Sequence, residues 1–215
     1  MRRTSVLAVA GTLCVLSTGA MGQVIASATY FDLRGAWDGS LFTANAAAAP
    51  GLNSSGSVAR LVAPVGTADF EPGFVAGANP ANFVLDLTFV PAGPGLGNGA
   101  GSFTITDADG DTISGQINGT WIDGGAQVFF NGAMSNVVFT GTSFDGTLAG
   151  SFSTLFGGSG IYDGAITQLF LSPPGNFFAT PFDNVSTGVT MQILPTPGAL
   201  ALLGLGGLAI TRRRR

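Results

Sequence analysis

Within Asn82–Val90, and again within Ile113–Trp121, apolar side chains recur at every second position. Phe83, Leu85, Leu87 and Phe89 alternate with Val84, Asp86 and Thr88. Ile113, Gly115, Ile117, Gly119 and Trp121 repeat the pattern further on. Successive side chains of an extended strand point to opposite sides, so a period of two marks half-buried strands. The residues between such runs form turns. Asp38, Asp109, Asp123, Asp145 and Asp163 each stand directly before a glycine, and Asn131 precedes Gly132. These steps supply the positive φ that tight hairpins need.

The spacing predicts strands near Val24–Leu33, Ser40–Thr43, Ser57–Ala63, Asn82–Val90, Phe103–Ile105 and Ile113–Trp121. It predicts others at Gln127–Phe130, Asn136–Thr140, Thr147–Thr154, Ala165–Leu171 and Thr187–Leu194. Ala46–Gly56, where Pro50 would stop a helical turn, Pro64–Pro80 and Pro91–Gly101 read as loops. Short strands with a turn every 8–15 residues or so imply an all-β fold, an antiparallel β-sandwich or a barrel-like meander. Seventeen Phe and a hydrophobic fraction of 46% supply its core. Charged residues are only 9%, against roughly 25% in an average domain, so Ser, Thr, Asn and Gly must cover the surface.

The two ends differ from the middle. Arg2 and Arg3 precede a mostly apolar stretch, Ser5–Leu16, and Ala20-Met21-Gly22 offers small residues for cleavage before Gln23. That is the layout of a cleavable signal peptide for the export translocon. Three segments follow: 1–22 as signal peptide, 23–193 as a Gly-rich β-domain and 194–215 as a separate tail. The one cysteine, Cys14, falls in the first segment, so the exported domain has no thiol or disulfide. Between the end segments only Arg34 and Arg60 stand against 12 acidic residues, a net charge of −10. Such a surface repels nucleic acid and anionic lipid.

The tail reads Leu194-Pro195-Thr196-Pro197-Gly198, an uncharged run from Ala199 to Ile210, Thr211, then Arg212, Arg213, Arg214 and Arg215. Twelve residues of helix cover roughly 18 Å, short of the ~30 Å bilayer core. Gly204, Gly206 and Gly207 weaken that helix further. This suits a segment held briefly and then cut, with the arginines kept on the cytoplasmic side. The arrangement resembles the PEP-CTERM sorting signal of exosortase-processed bacterial proteins. Pro195, Pro197 and Gly198 match, and Thr196 stands where the usual motif has Glu. The resemblance covers about a tenth of the chain. It implies export, an exosortase-like processing enzyme, and a destination at the cell surface or in the extracellular polysaccharide matrix. A Gram-positive sortase signal is the poorer fit, because Pro197 occupies its Thr position.

Candidate chemistry is sparse. With no His, no Lys and no mature Cys, a Ser-His-Asp triad, a thiol nucleophile, a Schiff base and a His-ligated zinc are excluded. Paired carboxylates could serve a glycosidase. Yet Glu71 is the only Glu, and five aspartates belong to turns. A non-enzymatic role is expected, structural or adhesive, with a carbohydrate- or calcium-binding surface module as the alternative. Asp107, Asp109 and Asp111 could gather oxygen ligands for Ca²⁺, the one cofactor considered. But Thr112 replaces the loop glycine of an EF-hand and Asn118 its closing acid, so a polar hairpin tip is the simpler reading. Trp37, Trp121, Tyr30 and Tyr162 could form a platform for sugar rings. The alternation around Trp121 favours the core instead.

Overall fold

The computed structural model describes residues 24–46, 48–49, 51–61, 66–68, 82–106, 112–140, 162–173 and 177–195. In chain order the strands are β1 (Ala26–Trp37), β2 (Leu41–Asn45), β3 (Ala48–Ala49), β4 (Leu52–Asn53), β5 (Ser55–Arg60) and β6 (Gly66–Ala68). They continue with β7 (Asn82–Thr88), β8 (Val90–Gly93), β9 (Leu96–Thr106), β10 (Thr112–Asp123), β11 (Val128–Thr140), β12 (Tyr162–Leu171) and β13 (Phe182–Pro195). Eight of them form a meander in the order β1-β2-β7-β9-β10-β11-β12-β13, every neighbouring pair antiparallel. β13 then pairs with β1, and the sheet closes on itself. Of the two architectures open from sequence, the chain adopts the barrel-like one. Closure of these eight strands removes the edges that β1 and β13 would otherwise leave.

The wall is not uniform around β1. Along Arg34–Trp37 its second neighbour is β2, but along Ala26–Phe31 it is β5, which carries β6 as a branch. The strands define two rims. The start of β1 and the end of β13 lie together at the first, where Ala26 pairs with Ile193 and the Ile25 N–H donates to the Ile193 carbonyl at 2.9 Å. Trp37, Leu41, Asp123 and Phe182 lie at the second.

Alternation decides what fills the interior. Phe83, Leu85 and Leu87 of β7, Ile113, Ile117 and Trp121 of β10, and Phe130 and Val137 of β11 are all fully buried. Each such side chain contributes on the order of 1.5–3 kcal/mol by leaving water. Between them Asn98, Ser102, Thr104, Gln116, Asn118 and Asn131 lie on the outer face. This is the reverse of a membrane-spanning barrel, which turns its apolar side chains to lipid.

The second rim is closed from inside by aromatic rings. The turn at residues 177–180 drops Phe178 into the lumen, where it is 4% exposed. Its ring stacks on Phe89 at 4.5 Å and meets Trp121 edge-on at 4.8 Å and Trp37 at 5.3 Å. Phe178 takes φ 46°, a left-handed conformation that costs a bulky residue about 1–3 kcal/mol. Three aromatic contacts at about 0.5–1.5 kcal/mol each offset that cost.

Several expectations need correction. Pro91–Gly101 is a hairpin: β8 turns through Pro94-Gly95 into β9. Asn131-Gly132 does not turn the chain, because β11 runs unbroken through both. Glycine is tolerated there because the Phe130 ring covers it; a Cβ on Gly132 would sit 2.5 Å from that ring. Ala46–Gly56 holds the small pair β3–β4, and Pro64–Pro80 holds β6. The expected strand at Thr147–Thr154 lies outside the described residues.

Candidate functional site

The seam between β1 and β13 joins strands far apart in sequence, and it carries two bulges. Phe31 and Asp32 together face Gly188, since Tyr30 pairs with Val189 and Leu33 with Thr187. Asp183 and Asn184 together face Ala36. Each bulge contains a left-handed residue, Asp32 at φ 52° and Asn184 at φ 58°, and Asp and Asn tolerate that region best among residues with a side chain. Hydroxyls fix the first bulge. Ser54 Oγ donates to the Asp32 carbonyl at 2.8 Å, and Ser186 Oγ to Asp32 Oδ1 at 2.7 Å. A salt bridge spans the second. Arg34 donates from Nε to Asp183 Oδ1 at 2.8 Å and from Nη2 to Oδ2 at 2.5 Å.

Beside this pair lies an open depression of about 490 Å³ on the outer face near the second rim. Arg34, Ala36, Trp37, Asp38, Leu41, Thr43, Pro181, Phe182 and Asp183 line it. Its charged groups are already engaged, Arg34 with Asp183 and Asp38 with its own turn. Asp38 Oδ1 accepts from the Ser40 N–H and Oγ, both at 2.8 Å, and from the Leu41 N–H at 2.9 Å. These bonds, with the Leu41 amide the largest influence, hold its carboxyl below the ordinary range. The Arg34 hydrogen bond does the same for Asp183, and Asp183 raises the guanidinium in return. Carboxylates held ionised are poor general acids at neutral pH. The indole Nε1 of Trp37 is buried and has no hydrogen-bond partner among the described residues.

The aromatic platform does not exist as a surface. Tyr30, Tyr162 and Trp121 are at most 1% exposed and Trp37 8%. Trp121 Nε1 donates to the Thr88 carbonyl at 3.0 Å, which satisfies the indole inside the wall. Burial pushes the Tyr162 hydroxyl up to about 12 and Tyr30 well above its ordinary value.

Asp107, Asp109 and Asp111 lie outside the described residues, as do Thr196, Pro197, Gly198 and Arg212–Arg215. Their flanks are placed: Thr106, the last residue of β9, pairs with Thr112, the first of β10, at the first rim. Pro195 is the last residue of β13 and pairs with Tyr162, and Leu194 pairs with Asp163. The first two residues read as tail therefore belong to the barrel wall. Among the described residues no group of three or more metal-ligating side chains comes together, and no helix is long and apolar enough to cross a membrane.

Sequence reading missed Arg34–Asp183 and the Asp32 bulge. Local pattern carries no signal for contacts 149 and 154 residues apart. Comparison of the chain with protein-family models, with curated proteins and with solved structures gave no match.

Proposed function

We propose that this chain is an exported, non-enzymatic protein of the cell surface or extracellular polysaccharide matrix, structural or adhesive in role. In this reading it is delivered through a PEP-CTERM-like tail by an exosortase-like enzyme. One observation supports it beyond the sequence: Ile25 and Pro195, near the two ends of the described barrel, both stand at the first rim. A barrel tethered there turns its opposite rim, with the Arg34–Asp183 depression, away from the membrane. Two further features agree with it. The outer face is mostly uncharged Ser, Thr, Asn and Gln, suited to a hydrated matrix, and the described carboxylates at the depression are engaged in a turn and an ion pair.

The test is intact mass and C-terminal peptide mapping of the protein from its native cells, fractionated into membrane, surface and medium. A product beginning near Gln23, ending between Pro195 and Gly198, and recovered off the cytoplasmic membrane is the expected result. A membrane-bound product that retains Arg212–Arg215 would sink the sorting reading.

A further inference from the structure

Val84 and Val90 are exposed apolar side chains on the polar outer wall, but five others fall on one line that follows the strand pairing. Leu96 pairs with Ile122, Ile122 with Phe129, Phe129 with Phe170 and Phe170 with Gly188. Phe31 lies opposite Gly188 in the β1 bulge, which continues the line onto a sixth strand. All five side chains are on the outer face: their strand neighbours Gly97, Trp121, Phe130, Leu169, Leu171 and Tyr30 are buried inward. Phe31 is 53% exposed and Leu96 43%, and the other three are half-buried.

The rings are held in place. Phe170 lies across Gly188, where a Cβ would collide with three of its ring atoms. Phe129 lies against Gly124, where a Cβ would come within 2.6 Å of its Cε2. A ring laid over a bare glycine keeps its other side toward solvent. Phe31 is turned outward by the bulge that Ser54 and Ser186 anchor, and re-aiming a side chain is a recognised use of bulges.

A parallel line of hydrogen-bonding side chains runs two residues away on the same face. Asn98 pairs with Thr120 and Thr120 with Asn131, and Thr29 pairs with Thr190 at the other end. With strands about 4.8 Å apart, Phe129 and Phe170 stand one strand spacing apart, and Phe31 two spacings beyond Phe170. The apolar line is one side chain wide and follows five of the eight strand gaps around the curved wall of the closed barrel, so its side chains are met one after another around the wall and not on one flat face. That is the outline of a chain rather than of a protein patch. An interface between two copies needs on the order of 1,000 Å² around a compact core.

We infer that this line is a binding track for a linear, neutral polysaccharide. The apolar faces of its sugar rings stack on Phe31, Phe170 and Phe129, and its hydroxyls bond to Asn98, Thr120 and Asn131. Neutrality follows from the charge. The mature region carries −10, and no basic residue stands in either line. An acidic polymer or an anionic membrane would be repelled. The inference gives the adhesive reading above a ligand and rests on that reading for its setting, but not for its test.

The test is retention of the full-length chain on insoluble cellulose, insoluble β-1,3-glucan and immobilised dextran, with alginate as the anionic control. Retention on at least one neutral glucan, insensitive to salt, is expected. Phe31→Ser and Phe129→Ser should each weaken it at least tenfold, whereas Phe170→Tyr, which keeps a ring, and Val84→Ser, an exposed position off the line, should not. Unfolding curves identify any variant that is merely unstable, and Phe31, being half-exposed, is the least exposed to that objection. The inference is overturned by no retention on any neutral glucan, or by retention indifferent to Phe31→Ser. It is equally overturned if the line proves to join two copies, seen as a dimer by sedimentation that Phe31→Ser dissolves, or to bind phosphatidylcholine vesicles. Retention by a protein that fractionation finds uncut in the membrane would break the sorting reading and leave the track standing.

Discussion

The wall formed by β9, β10 and β11 and the seam between β1 and β13 solve the same problem differently. β9 and β10 pair from Thr106–Thr112 to Leu96–Ile122 without a register shift. Their register is set by the hairpin and by rings seated on glycines. A Cβ on Gly99 would lie 2.6 Å from Trp121 Nε1, 2.8 Å from Phe130 and 3.0 Å from the Thr88 carbonyl, so only glycine lets these groups meet. The seam has no hairpin to set its register. It contains two bulges, two left-handed residues, two anchoring hydroxyls and an ion pair between residues 149 apart. Where neighbours in sequence pair, fewer such devices are needed: β9–β10 has no bulge, and β10–β11 has one, where Asn136 (φ 53°) and Val137 together face Gly115. Where the barrel must close, polar side chains specify the fit and bulges absorb the mismatch.

The contrast is broken most severely from the wall. Trp121→Ala empties the space that Gly99 leaves and removes a satisfied indole, and it should cost about 3–5 kcal/mol in a urea melt. A loss under about 1 kcal/mol would mean that the lumen collapses freely and that ring-on-glycine packing does not hold the wall. Alkali acts next. Burial raises Tyr162 to about 12, so its stabilisation is complete below the ordinary tyrosine range near 10 and is lost as pH rises from there through 12. By pH 12 the loss should reach up to about 2 kcal/mol, and Tyr162→Phe should remove that part of the pH dependence. Tyr30, buried in the seam strand, shifts in the same direction and should keep its phenol protonated until the barrel opens. A phenolate signal from Tyr30 before unfolding would show the seam opening locally.

The seam itself is tested at Asp32. Asp32→Ala forces a β-carbon without polar help to φ 52° and drops the Ser186 bond, for about 1–2 kcal/mol. Asp32→Gly loses the same bond but no longer resists the backbone, so it should cost less. If the two cost the same, the hydrogen bond and not the left-handed backbone dominates the bulge.

That division also explains what could be read in advance. Alternation alone puts Phe83, Leu85, Leu87, Ile113, Ile117 and Trp121 inward, and all are buried; Phe89, on the same face by alternation, is only partly buried, past the end of β7. Alternation reports burial directly, one residue at a time. It misread Asn131-Gly132 as a turn because the dipeptide that makes hairpins also lets a ring lie flat on a strand. It could not find the outer line of Leu96, Ile122, Phe129, Phe170 and Phe31. Each residue sits on a different strand, and the line exists only once the registers are known. Trp37, Tyr30 and Tyr162 were offered as a sugar platform because aromatic type is visible in sequence and orientation is not. Their rings point inward, and among the described residues the aromatic side chains that face out are phenylalanines.

The smallest effect should come from the most conspicuous contact. Arg34 and Asp183 form a two-pronged pair, but their side chains are 43% and 55% exposed. Exposed pairs gain little, since water and salt screen them and two side chains must be held still. Asp183 is held below the ordinary carboxylate range, so whatever the pair contributes is present above that range and fades as pH falls through the folded value. Arg34→Ala should therefore shift the unfolding midpoint at neutral pH by little more than the error of the measurement, and the shift should vanish in acid and in high salt. A large, salt-insensitive loss would mean that the guanidinium itself sets the β1–β13 register. The seam would then be closed by charge geometry and not, as argued here, by its bulges and their hydroxyl anchors.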